Sequence, residues 1–64
     1  MTPESHRIIN FLAGMPSGNS TITKEQLKEI LLSTGGWMMA CGRMYDIESK
    51  HLGAGIYKIF LKER

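Results

Sequence analysis

Cys41 is the only cysteine in this chain of 64 residues, and that removes the usual supports of a very small domain. A single thiol cannot close an internal disulfide, and alone it cannot build a cysteine-based zinc site. The two histidines, His6 and His51, stand far apart and show no HExxH or CxxC-type spacing. No metal and no cofactor is therefore expected. A chain of this length buries only about 60% of the surface it exposes when unfolded. Tight packing of one core, oligomerisation or a partner must supply the rest. Apolar residues make up 42% and charged residues 22%, the proportions of a globular chain rather than a disordered one. The whole of residues 1–64 reads as one domain.

The charge is mildly basic, with eight Lys and Arg against six Asp and Glu. Its placement says more than its total. Residues 1–49 carry a balance of −1, whereas 50–64 carry Lys50, Lys58, Lys62 and Arg64 against Glu63 alone, a balance of +3. The excess sits at the carboxy-terminal end, which suits a basic edge as well as a plain solvated face. No stretch approaches the roughly 20 apolar residues of a membrane helix, and the first seven residues lack the pattern of a signal peptide. The expected location is the cytoplasm.

Along the chain, Thr2-Pro3 announces a first helix: Thr2 can cap it, and proline is at home in the first helical position. Ile8, Phe11, Leu12 and Met15 follow at i, i+3, i+4 and i+7, and Gly14 and Pro16 end the run. Residues 15–20 form a turn by composition. Thr21-Ile22-Thr23 suits one short strand. Thr23 with Gln26 makes a T-x-x-Q capping box for a second helix, whose buried face is Leu27, Ile30 and Leu31. Ser33-Thr34-Gly35-Gly36 stops it.

Between 37 and 49 the sequence admits two readings. Trp37, Cys41, Met44, Tyr45 and Glu48 fall at helical spacing, which predicts a third helix with Cys41 on its core stripe, even though Gly42 costs about 1 kcal/mol there. A strand starting at Trp37 competes. Past Gly53-Ala54-Gly55, the β-branched and aromatic run 56–62 predicts a strand, with Tyr57, Ile59 and Leu61 on the core face and Ile56, Lys58, Phe60 and Lys62 on the other. Residues 49–52 are its expected hairpin partner.

Helix, short strand, helix, helix and a glycine-turned hairpin is the element order of a winged-helix domain. The chain resembles the winged helix-turn-helix family in three places: Ile22 to Leu27 is similar to the opening of that family's second helix, Tyr45 to Leu52 to the end of its third helix leading into a wing, and Gly55 to Ile59 to its last strand. The resemblance implies an α+β fold of three helices, a short strand and a C-terminal β-hairpin. It also implies binding to double-stranded DNA. Thr23 and Lys24 would meet phosphates, Arg43 the groove, and Lys50 and Lys58 would act from the wing. The expected function is regulation of transcription or recombination, with a homodimer supplying the affinity that one weakly basic module lacks. The segment 37–45 carries one basic residue and no Asn or Gln, whereas direct base readout relies chiefly on Arg, Lys, Asn and Gln.

A different class of function competes. Trp37, Met38 and Met39 are consecutive and cannot all point into one core from a helix. Exposed Trp and Met suit a protein contact, as in a compact phage-type inhibitor or an adaptor that binds a larger host protein. The plainer reading of these residues is core filling. The plainer reading of Lys24 and Lys28 beside Glu25 and Glu29 is a solvated helix face, and of His51 an ordinary surface histidine, while Arg43 either pairs with a nearby carboxylate or projects toward a phosphate. No nucleophile–base pairing or paired-carboxylate motif is visible, so an enzyme is not expected. The position of Arg43 separates the two functions: on one face with the hairpin lysines it favours DNA, whereas an exposed patch of Trp37 and the methionines favours a protein.

Overall fold

A computed structural model describes all 64 residues. Helix α1 spans Pro3–Gly14, strand β1 Asn19–Thr23, helix α2 Lys24–Thr34, and strands β2, β3 and β4 span Trp37–Ala40, Arg43–Gly53 and Ile56–Glu63. The strands form one antiparallel sheet in the order β1-β4-β3-β2. Both helices pack on the same face of this sheet.

The two helices form where the sequence places them. Thr2 caps α1 through its side chain, with proline just inside the first turn. Thr23 and Gln26 complete a reciprocal capping box on α2, and Gly35 closes that helix at φ 74 in the left-handed region. Glu29 of α2 reaches back to accept the Thr2 N–H at the start of α1. A carboxylate at a helix N-terminus is favoured by the exposed amides and by the helix dipole, so this bond ties the two helices together.

The third helix does not exist, and the three-helix winged-helix architecture is corrected to two helices on a four-stranded sheet. Residues 37–49 are β2, a two-residue turn and most of β3. The turn explains why. Cys41 and Gly42 both take positive φ, 52 and 76, as a two-residue hairpin of the primed type requires. That turn interrupts the helical spacing, and alternation with period two takes over. Met38 and Ala40 are buried while Trp37 and Met39 are exposed. Cys41 is accordingly exposed at the turn instead of lying on a core stripe. The second hairpin repeats the device at Ala54-Gly55, φ 51 and 73, with a bulge between His51 and Gly53.

The core is Ile8 and Leu12 from α1, Leu27 and Ile30 from α2, and Ile22, Met38, Ile47 and Ile59 from the four strands. Tyr57 and Leu61 flank it on the face of β4 that alternation predicts. The predicted stripes are only partly buried: Phe11, Met15 and Leu31 are exposed. Eight side chains make a small core, as the length requires.

Candidate nucleic-acid interface

Because side chains alternate along a strand, every residue next to a core position points to the opposite, uncovered face. That open face carries Thr21 and Thr23 from β1, Ile56, Lys58, Phe60 and Lys62 from β4, Met44, Asp46, Glu48 and Lys50 from β3, and Trp37 and Met39 from β2. Neither helix covers it.

The register fixes where each charge lies. Lys50 faces Lys58 directly across β3 and β4, and Lys58 in turn faces Thr21 on β1. Lys62 faces Asp46, which faces Trp37. Arg64, just past β4, donates from Nε to Asp46 Oδ1 at 2.7 Å and lies 5.5 Å from the centre of the Trp37 ring. Lys58 Nζ lies 5.7 Å from the centre of the Phe60 ring. Each open-face aromatic ring is thus accompanied by a cation, an arrangement favoured by the ring quadrupole.

The open face holds Lys50, Lys58, Lys62 and Arg64 against Asp46 and Glu48, a surplus equal to the formal net charge of +2 of the whole chain. Elsewhere Arg7, Lys24, Lys28 and Arg43 are matched in number by Glu4, Glu25, Glu29 and Glu63, with Arg7 bridged to Glu4 and Arg43 to Glu63. No carboxylate forms an ion pair with Lys50, Lys58 or Lys62. One face of the sheet therefore carries the protein's entire charge imbalance.

Of the five residues that the winged-helix resemblance implies, four gather at the β3–β4 hairpin end. Lys50 and Lys58 are cross-strand partners there. Thr23 faces Ile56, and the Lys24 N–H donates to the Gly55 carbonyl at 3.1 Å. Arg43 does not join them. It opens β3 at the far end, about 23 Å along the strand from Lys50 at 3.3 Å per residue, and bridges Glu63 at 3.0 Å. With no third helix it has no groove-reading position.

The start of α2 is also less open to phosphate than its sequence implies. The Thr23 N–H is taken by Gln26 Oε1 at 2.9 Å and the Gln26 N–H by Thr23 Oγ1 at 3.2 Å. With the Lys24 amide also engaged, an anion at this corner would meet the Thr23 hydroxyl proton and the Lys24 ammonium rather than a cluster of free amides.

The Trp37–Met39 segment divides by face. Met38 is in the core, whereas Trp37, Met39 and its cross-strand partner Met44 form an exposed apolar patch beside Arg64. Phe60, Lys62, Arg64 and Met44 share this face and lie outside the residues that the winged-helix resemblance implies. The alternation of Lys58, Phe60 and Lys62 was the sequence signal for two of them. Nothing local marks Arg64, whose role comes from the register that sets it over β2.

The molecule's groove lies elsewhere. It holds about 290 Å³ between α1 and β1, lined by Glu4, Arg7, Ile8, Phe11, Ser20 and Thr21. Its single cation, Arg7, is already bridged to Glu4. No helix is long and apolar enough to cross a membrane. Comparison with models of protein families, with curated proteins and with solved structures finds no match for this chain.

Proposed function

We propose that this is a small nucleic-acid-binding protein, a regulator acting on DNA, that meets phosphates with the open face of its sheet. The observation that carries this reading is the segregation of charge: the whole positive surplus lies on the one face that no other element covers. Lys50, Lys58 and Lys62 have no internal ion-pair partner, so an anion does not have to displace one. Binding of this kind is sequence-tolerant, because phosphate contacts position a protein without reading bases.

The test is fluorescence anisotropy with labelled DNA of mixed sequence at 50 and 200 mM salt. Three or four phosphate contacts predict a slope of log affinity against log salt of about −3. Lys50→Gln and Lys58→Gln should each make the slope shallower by about one. An absence of binding at 50 mM salt overturns the reading.

A second reading is contact with a larger host protein or with a second copy of this chain; the separation of Arg43 from the hairpin lysines and the exposed Trp37, Met39 and Met44 patch both favour it. Trp and Met are enriched at such contacts. It requires Trp37→Ala or Met39→Asp to abolish association while leaving DNA affinity in place, or a melting temperature that rises with protein concentration.

A further inference from the structure

We propose that the ligand of the open face is a single strand, whose bases stack on Phe60 and Trp37 while its phosphates meet Lys58, Lys50, Lys62 and Arg64. The inference rests on the nucleic-acid reading above and narrows it.

Shape separates a single strand from a duplex. The outer strands β1 and β2 lie three strand spacings apart, about 14 Å before side chains are added, whereas a major groove about 12 Å wide admits one helix or a two-stranded ribbon. The β3–β4 hairpin cannot enter as such a ribbon either, because β1 flanks β4 from Ile56 to Phe60. A duplex could meet this face only through its phosphates, because its bases are stacked inside, whereas a single strand can also lay unpaired bases on the rings.

Chemistry agrees with shape. A surface for single strands combines cations that follow the backbone with aromatic rings that accept bases of any sequence. Phe60 and Trp37 are two strands and two residues apart, about 12 Å at ordinary sheet spacings, so they would hold two separate bases. Each ring lies beside a cation, Lys58 at Phe60 and Arg64 at Trp37. A base that takes the Phe60 ring moves the Lys58 ammonium, which no carboxylate holds, toward the phosphate that arrives with it, while at Trp37 Arg64 keeps its Nε on Asp46 and offers its terminal nitrogens to a phosphate. Met39 and Met44 border Trp37 with polarisable apolar surface.

Three probes test this: a fluorescein-labelled 12-mer of thymidylate, an abasic 12-mer with the same phosphates, and a 12-base-pair duplex of mixed sequence. The thymidylate should bind at least about ten-fold tighter than either of the others, and it should quench Trp37, the only tryptophan, where the abasic strand does not. Phe60→Leu keeps apolar bulk and should weaken thymidylate binding about five-fold or more, while Phe60→Trp should retain it. Circular dichroism confirms that both variants are folded. Equal affinity for the thymidylate and abasic strands, or for strand and duplex, overturns the single-strand inference and leaves the nucleic-acid reading standing. Failure of all three probes to bind overturns both.

Discussion

Lys50 of β3 and Lys58 of β4 are direct cross-strand partners on the open face of the sheet, and neither is ion-paired to a carboxylate. Like charges placed opposite each other weaken a sheet, whereas opposite charges support it. On the nucleic-acid reading, a phosphate held between the two ammonium groups offsets that cost. Lys50→Glu should therefore raise the stability of the free protein by about 0.5 kcal/mol while lowering its affinity for DNA. Thermal melting and anisotropy on the same variant check both directions. A fall in both quantities contradicts the argument.

The open face was legible in part. Alternation along Ile56 to Lys62 placed Tyr57, Ile59 and Leu61 inside and Lys58, Phe60 and Lys62 outside, and the register agrees. Capping signals at Thr2 and Thr23 located both helices, because a cap is a local bond between near neighbours. The segment 37–49 was misleading for a physical reason. Trp37, Cys41, Met44 and Tyr45 satisfy a helical period, while Met38, Ala40, Tyr45 and Ile47 satisfy a strand period, and the turn that decides between them has Cys41 where Asn or Asp is the usual signal. That Arg43 pairs with a carboxylate is one of the sequence readings, but its partner Glu63 is not legible, nor is the pairing of Arg64 with Asp46. Each joins residues about 20 positions apart, and only the finished sheet sets them side by side.

The two hairpin turns predict where stability can be gained. Cys41 and Ala54 are the two non-glycine residues with positive φ, at 52 and 51, and each precedes a glycine. Residues with a Cβ are disfavoured in this region, and Asn is among those that tolerate it best. Cys41→Asn and Ala54→Asn should each stabilise the protein by up to about 1 kcal/mol, and by roughly additive amounts because the turns lie at opposite ends of β3. Urea titrations of the single and double variants give the measurement. Destabilisation by either change contradicts the turn assignment.

The bond between Glu29 and the Thr2 amide predicts an acid dependence. That N–H holds the Glu29 carboxyl below its ordinary value of 4.5, against the opposing effect of desolvation. A depressed carboxylate contributes stability that is fully present above the unfolded value and is lost as pH falls through the folded one. The contribution should thus be intact at pH 7 and fade below about 4.5. Glu29→Gln should melt lower than the parent chain at pH 7, and the gap should close as pH approaches 2. A gap that stays constant over that range contradicts the latch between α1 and α2.

Thr23 separates a structural role from a binding role. Its Oγ1 accepts the Gln26 N–H, and its own amide is satisfied by the Gln26 side chain. Removing an N-cap of this type costs about 1 kcal/mol, and in a chain of this size that lowers the melting temperature by about 4–8 °C. Thr23→Ala should show that loss in full. Thr23→Ser keeps the hydroxyl and should recover most of it. If the cap is the residue's main task, DNA affinity measured well below the melting temperature should change less than two-fold in Thr23→Ala, and the salt slope should not move. Lys58→Gln, two residue pairs further along β1 and β4, should show the reverse: a shallower salt slope with little change in melting. An equal loss of affinity in Thr23→Ala and Lys58→Gln would instead move the phosphate path onto the α2 corner, beside Lys24 and the Gly55 turn.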